Sequence, residues 1–549
     1  MLDRITFSKY LSLVLRALNV KVVYTLPGDL TLELLSGLEE NGTKILCFPD
    51  EESVMSAADI HASLSGLSLV ICADGYSLSK MINPLVACRL RYSAVSVVVV
   101  SNFSSDLCTS SLNQYPQPTR VQYMCNSIGI ESYRMSEGLS FESLAEIITR
   151  PITSHQPFAL EITSDVVSSS VWINNDSISD VSQIGRTGRA PRHEALLAQI
   201  ASFQKGVCIL GNSLNRYRSQ PHKLVLKSEL KIAYMTLPSI KGLIYESDDR
   251  YLGTYLGDFS SGQILDALKD AEKVVLIGVD TFELAWTSWK PLSGASGWNL
   301  KKELMAQGKS VISINLDRYG DGDETTFHSF SLLETFFEGA SEVVNENIES
   351  TRIDPTGSSY YDRLASTLST LRNSVLVADV GLSTLSLFNI RLSSCSTFIS
   401  NTVWANMGSC FAAGLAASLC IKNKKIWIIV GDGSAIMSVH DLAVFARYDI
   451  EVCIIVLDNN GYLTERVKYA GSFNNGFQID WLECARSMGF GTCLKCDNKE
   501  DIPKMVDSLR QSESTQSLLW IKIPQAEYPD AVRDQIRWTS MKKLIDLNK

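Results

Sequence analysis

Short apolar, β-branched runs separated by helix-length segments constrain this chain more than any other feature. In the first third the runs are "KVVYTLP" (21–27), "SLVICAD" (68–74), "AVSVVVVSN" (94–102) and "PFALEIT" (157–163). A second set holds "GVCILGN", "KIAYMTL", "KVVLIGV" and "SVISINL". A third holds "SVLVADVG", "KIWIIVGDG", "EVCIIVLDNNG" and "SLLWIKI". Continuous rather than alternating apolar runs mark strands buried on both faces. Strands alternating with helical patterns mark parallel sheets covered by helices. The polar, Ser-rich stretch 164–194 and the segment 345–361 read as linkers. The fold class is therefore α/β, with three doubly wound parallel-sheet domains at 1–170, 190–345 and 356–549.

At 549 residues the chain is too long for one core. Its formal net charge of −10 argues against a nucleic-acid binder, which would show a basic stripe. No apolar run reaches the roughly 18 residues of a membrane span. The N-terminal twenty residues carry charges throughout and read as an amphipathic helix rather than a signal peptide. The thirteen cysteines form no framework, and the single C-x-x-C, Cys493 to Cys496, has no second pair to complete a zinc site. Reduced thiols and a cytoplasmic location are the expectation.

One loop poses a chemical question. The strand at 426–430 delivers Gly431-Asp432-Gly433-Ser434, and Ile436, Val439, Leu442, Ala443 and Ala446 then recur at helical spacing. Glycines between a strand and a helix suit a phosphate, yet Asp432 would repel one unless a cation lay between them. The next strand ends in Asp458-Asn459-Asn460-Gly461. One βαβ step therefore brings Asp432 and Asn459 to neighbouring strand ends, where parallel sheets bind ligands. The Asp432 carboxylate, the Asn459 amide oxygen and a carbonyl near Gly461 make an all-oxygen set suited to Mg²⁺ beside a diphosphate. Alone, GDG reads as a turn and NNG as a hairpin; at this spacing the two read as one site.

With these residues in place, the sequence resembles the thiamine-diphosphate-dependent decarboxylases and carboligases. It is most similar to the pyruvate and indolepyruvate decarboxylases, within the wider acetohydroxyacid synthase superfamily. Their N-x-G-Y-x-x-E-R is present as "NNGYLTER" (459–466), and their W-G-x-x-G as "WANMG" (404–408), with Ala405 for the first glycine. "YTLPGDLTLELL" (24–35) resembles their first strand and turn, and "SIKGLIYESDDRYLGTYLG" (239–257) a segment of their middle domain. The resemblance implies a pyrimidine-binding domain, a central Rossmann-like domain and a diphosphate-binding domain. It implies thiamine diphosphate and Mg²⁺ as cofactors.

Residue by residue, the resemblance implies that Glu51, eight residues before Asp59, is the carboxylate that hydrogen-bonds the cofactor's pyrimidine. It implies metal ligation by Asp432, Asn459 and the Gly461 carbonyl. Gly433 and Ser434 would cradle the diphosphate with Gly381 and Ser383. Ala405 would offer its carbonyl to the cofactor, and Met407 would be the apolar wedge that bends it. Asp29 and Glu465 match the two carboxylates that handle protons around the substrate. The cofactor would bridge two subunits, so a homodimer or a dimer of dimers is implied.

The implied reaction is non-oxidative decarboxylation of a small-molecule 2-keto acid through a cofactor-bound enamine, releasing an aldehyde. Two departures keep alternatives open. The decarboxylases' His-His pair is absent from 101–122, where Asn113 and Gln114 fall instead, and Gln114 resembles the carboligases. An amide orients a substrate but does not titrate near neutral pH. Lys468 stands where the family has an apolar residue. A carboligase acting on a second carbonyl is the alternative, and a catalytically weak paralogue with a binding role is a third reading. No partner among nucleic acids or membranes is expected. The sequence does not say whether the central domain binds a nucleotide.

Overall fold

The computed structural model describes residues 2–101, 121–135, 141–174, 194–220, 222–257, 259–279, 300–315, 326–328, 335–339, 359–393, 396–466, 469 and 471–530. Asn113, Gln114 and Lys468 lie outside them, as do all of 175–193 and 340–358. Contacts divide the chain into two compact units. The first comprises 1–188 with 415–420, and the second 189–414 with 421–549. The fold is α/β as expected: among the described residues three six-stranded sheets form, each entirely parallel.

The first unit opens with a strand, β1 (Leu2–Thr6), before the expected amphipathic helix Phe7–Ala17. Thr6 ends that strand and caps the helix, its hydroxyl accepting from Lys9 N. The main sheet comprises β2 (Val22–Thr25), β3 (Lys44–Cys47), β4 (Ser68–Ala73), β5 (Val95–Ser101), β6 (Glu131–Met135) and β7 (Phe158–Thr163). Its order is β3-β2-β4-β5-β7-β6. Every residue of β5 is buried, as its valine run requires. The linker reading of 164–194 starts too early. Residues Ser164–Val167 are helical, and β8 (Ser170–Asn174) pairs antiparallel with β1. The serines there hid a strand, whose five residues pair in register with the whole of β1.

The second unit begins with a central sheet of β9 (Gly206–Leu210), β11 (Ala233–Thr236), β12 (Tyr251–Thr254), β13 (Lys273–Ile277), β14 (Ser310–Asn315) and β15 (Thr326–His328). A separate antiparallel pair joins β10 (Leu224–Leu226) to β16 (Phe337–Gly339). The central order, β12-β11-β9-β13-β14-β15, is the 3-2-1-4-5-6 of Rossmann folds. Alternate residues of its strands enter two separate cores. Cys208, Leu210, Val275 and Ile277 pack on one side, and Val207, Ile209, Val274 and Leu276 on the other. Helices therefore cover both faces.

The last sheet comprises β17 (Ser374–Ala378), β18 (Thr397–Ser400), β19 (Lys425–Gly431), β20 (Val452–Asp458), β21 (Thr492–Cys496) and β22 (Gln516–Lys522). Its order is β18-β17-β19-β20-β22-β21, and β20 is buried along its whole length. Central and last sheets are held together by a buried ion pair. Lys241 Nζ lies 3.2 Å from Glu246 Oε2, both side chains 1% exposed. Lys241 also donates to Ile390 O (2.7 Å), and Glu246 Oε2 accepts from Leu392 N (2.8 Å). Burial pulls Lys241 below its usual range and the Glu246 charge opposes that shift. Both residues fall in the segment whose resemblance to a middle domain was read from sequence.

Cys493 and Cys496 lie on β21 three residues apart, so their side chains take opposite faces of the strand. Their thiols turn to the carbonyls of Phe490 and Asn498 rather than to each other. The eleven cysteines among the described residues are all free. No described helix is long and apolar enough to cross a membrane.

Candidate functional site

The acidic loop sits where the strand pattern placed it. Gly431 of β19 pairs with Leu457 of β20, so Asp432 and Asn459 follow directly from adjacent strand ends. The following helix is broken, against expectation. Asp432–Ala435 is one turn, Ile436–Asp441 is a 3₁₀ segment with Ser438 non-helical (φ −133°), and Leu442–Arg447 resumes the α-helix. The break also changes the buried face: of the apolar residues at helical spacing only Leu442 is buried, Ala443 is exposed, and Val444 and Phe445 turn inward instead. Ser438 uses the kink: its hydroxyl donates to Gly408 O (2.6 Å).

Asp432 is 5% exposed, and its Oδ2 accepts from Gly461 N at 2.7 Å. Burial first, and the nearby Asp458 second, push its carboxyl up to about 7. A cation at this carboxylate would remove that cost. Asp458 itself is compensated, receiving Trp520 Nε1 and Lys522 Nζ, each at 2.9 Å. Asn459 is buried, and its amide nitrogen donates to the Tyr361 hydroxyl (2.8 Å). Its amide oxygen, also buried, has no hydrogen-bond partner. An orphaned buried acceptor costs about 1–3 kcal/mol. Beside a carboxylate that resists ionising, it fits a hard divalent cation bound through oxygen.

Glycines let two loops close on this point. Gly461 has φ +129°, and a Cβ there would sit 2.1 Å from Asn474 O. A Cβ on Gly476 would come within 2.9 Å of Asp432 Oδ2, and one on Gly433 within 2.7 Å of the Tyr462 ring. Arg466 ties the loops together by donating to Asn460 O (2.9 Å) and Asn474 O (3.1 Å). The arginine of "NNGYLTER" thus has a structural task that the motif alone did not reveal.

Opposite ends of the expected diphosphate cradle are also joined. Ser434 Oγ lies 3.5 Å from Val380 O, next to Gly381, whose φ is +138°. Ser383 is buried, its hydroxyl donating to Asp379 O (2.9 Å). Asp379 is a residue that sequence reasoning missed. Its carboxylate accepts from Val380 N (2.8 Å), Gly408 N (3.1 Å) and Cys410 N (3.1 Å). Burial raises its pKa, and those bonds pull the other way. One buried carboxylate therefore fixes the loop that presents Ala405 and Met407. Ala405 stands at φ +62°, in the left-handed region. That backbone explains why a glycine suits the position and why alanine strains it. Met407 is half-buried.

The other expected carboxylates belong to different surroundings. Glu51 is the first residue of the helix Glu51–Ser65 in the first unit, and it is 3% exposed. Asp50 caps that helix by accepting from Ser53 N (2.9 Å), and Gly66 closes it at φ +95°. Glu51 is held by two donors from the helix Asp74–Leu90, Ser77 Oγ (3.1 Å) and Lys80 Nζ (3.2 Å). Asp29 opens a 3₁₀ turn after β2 and is exposed; Glu465 lies in the short helix Leu463–Arg466 and is exposed. Neither carboxylate is enclosed by the described residues.

Two family descriptions match the chain. "Thiamine pyrophosphate enzyme, N-terminal TPP binding domain" covers residues 5–119, and "Thiamine pyrophosphate enzyme, C-terminal TPP binding domain" covers 379–519. The chain belongs to the thiamine pyrophosphate enzymes. The C-terminal match begins at Asp379 and contains the whole acidic loop; the N-terminal match contains Asp29 and Glu51. Among thiamine pyrophosphate enzymes, the chain is similar to pyruvate decarboxylase isozyme 3 of Saccharomyces cerevisiae. The two are 21% identical over 585 aligned positions, spanning 98% of this chain and 99% of the relative. It is 22% identical to an alpha-keto-acid decarboxylase of Mycobacterium avium over 64% of each chain. It is 21% identical to an alpha-keto-acid decarboxylase of Mycobacterium leprae over 88% of this chain and 86% of that one.

Proposed function

We propose that the chain decarboxylates a 2-keto acid non-oxidatively, using thiamine diphosphate and Mg²⁺, and releases an aldehyde. The relatives named as pyruvate and alpha-keto-acid decarboxylases support the reaction class. The observation that carries the cofactor reading is the buried, unpartnered Asn459 oxygen beside an Asp432 held near 7. In this reading Asp432, Asn459 and the Gly461 carbonyl bind Mg²⁺. Gly381, Ser383, Gly433 and Ser434 receive the diphosphate, and Ala405 and Met407 seat the ring system. When bound, the thiazolium supplies the electron sink that no protein side chain provides.

This chain's own residues then position and protect. Glu51 directs its carboxylate at the pyrimidine and sets the state of that ring. Asp29 and Glu465 hold and deliver the protons that end the reaction. Both are exposed among the described residues, which supports a reading in which a second copy of the chain encloses them, in a homodimer or a dimer of dimers. The free thiols support a cytoplasmic setting. Residues 1–170, 190–345 and 356–549 act as pyrimidine-binding, central and diphosphate-binding domains.

A panel of 2-keto acids, supplied with thiamine diphosphate and Mg²⁺, tests the reading. Carbon dioxide and free aldehyde without an acceptor are the expected products. The lack of any histidine in 101–122 favours a second reading, a carboligase. Condensation products that form only with an added carbonyl acceptor would establish it instead. Thermal stabilisation by cofactor and Mg²⁺ without carbon dioxide from any keto acid would leave a binding role.

A further inference from the structure

The first unit holds its deeply buried carboxylate in a way that the family resemblance did not indicate. Glu51 is the first residue of its helix, where the free backbone N–H groups favour a negative charge. Its two oxygens are bound by separate donors. Ser77 takes Oε1 at 3.1 Å, and Lys80 takes Oε2 at 3.2 Å. Both donors come from one turn of the helix Asp74–Leu90, at spacing i, i+3, which puts them on one face. The carboxylate is thereby fixed in rotation, with one lone pair left on each oxygen.

Lys80 is suited to this task. Its side chain is 48% exposed while that of Glu51 is 4% exposed, so the ammonium stays hydrated as it reaches a buried partner. The Tyr76 ring lies under the same ammonium, 5.2 Å from ring centroid to Nζ. The Glu51 bond is also the first cause of the upward shift of Lys80 from its ordinary value. Two other ionisable groups lie near: Cys72, whose thiol is pushed up by burial first and then by Glu51 and Asp74, and Asp74, one of those causes. Neither supplies a positive charge. Among the described residues, Lys80 is the cation bonded to Glu51.

We infer that Lys80 is a positioning residue which, with Ser77, clamps the Glu51 carboxylate in the orientation that meets the pyrimidine of thiamine diphosphate. The inference rests on the reading of Glu51 given above. Its chemistry is a fixed hydrogen-bond geometry; Lys80 touches neither substrate nor the reacting atoms.

Full-length K80M, K80R, E51Q and the K80M/E51Q double variant test it. The first readout is thiamine diphosphate affinity by calorimetry with saturating Mg²⁺. The second is hydrogen–deuterium exchange at the thiazolium carbon of the bound cofactor. K80M is expected to weaken affinity about two- to fivefold, the range of a part-exposed ion pair, and to slow exchange by a similar factor. K80R restores both, and K80M adds nothing in the E51Q background. Wild-type values in K80M, or faster exchange, would overturn the clamp; so would equal losses from K80M with and without E51Q. If E51Q alone leaves exchange unchanged, the role of Glu51 fails, and that result separates the two ideas.

Discussion

The first and last sheets share one topology and differ in chemistry. Numbered within each sheet, both run 2-1-3-4-6-5, all parallel. In both, the third strand is followed directly by an Asp-Gly pair, Asp74-Gly75 after β4 and Asp432-Gly433 after β19. The backbones part at that point. Asp74 stands at φ +56° and turns its carboxylate onto the N–H of its own neighbour, Gly75 (2.5 Å). Asp432 has extended residues before it, starts a helical turn, and sends its carboxylate across to the loop of the next strand. The fourth strand of the last sheet brings Asn459 with an unpartnered oxygen; β5 of the first ends in Ser101. Topology therefore fixes where a ligand loop lies, and loop residues decide what it binds.

The strongest way to break this comparison is to exchange charge for amide at each aspartate. D432N is expected to weaken Mg²⁺-dependent thiamine diphosphate binding by more than about 100-fold, beyond the usual cost of losing a metal ligand's supporting partner. D74N should change it by less than about threefold. Calorimetry on both variants decides, and comparable losses would mean that the two loops are not chemically distinct.

A smaller effect sharpens the role of the orphaned amide. N459A removes the oxygen and also releases Tyr361, and should weaken magnesium binding about 10- to 100-fold. Y361F leaves the oxygen in place, so its loss should be a small part of that, measured by magnesium titration of cofactor binding.

Proton competition is the next test. Burial and Asp458 push the Asp432 carboxyl up to about 7 in the folded chain, from 3.8 for an ordinary aspartate. Between those values the folded chain holds a proton that the unfolded chain lacks. Metal-free stability from this group is thus present at low pH and is lost as pH rises towards about 7. Magnesium must displace that proton, so its affinity should fall about tenfold per pH unit below that point. A pH series of magnesium titrations checks the slope, and D432N should flatten the stability profile.

The least effect belongs to Ala405. Relieving its left-handed strain with A405G should raise stability by about 1 kcal/mol, read from denaturant midpoints at unchanged slope.

Much of the fold was legible because parallel strands must be apolar on both faces, and valine and isoleucine runs such as 95–100 and 452–457 admit few other readings. The position of the acidic loop was legible for a related reason, since a glycine-flanked Asp432 at one strand end and Asn459 at the next follow from a single βαβ step. Contacts that join distant segments were not legible. Tyr361 orients Asn459 from a helix before β17, and Asp379 organises the loop at 405–410 through backbone N–H groups, which have no sequence signature. Lys80 and Ser77 read as ordinary polar positions on a helix until their helix is placed beside Glu51. Asp29 and Glu465 were read from motifs alone, and both are exposed among the described residues.

The Lys241–Glu246 pair limits how this chain can be taken apart. It lies in the central part, but its remaining bonds end on the backbone at Ile390 and Leu392, inside the last. Severing the chain between the two would strand a charge in one fragment and bare peptide groups in the other. Evolution or an engineer wishing to swap the middle portion for another would have to carry both ends of that clasp along.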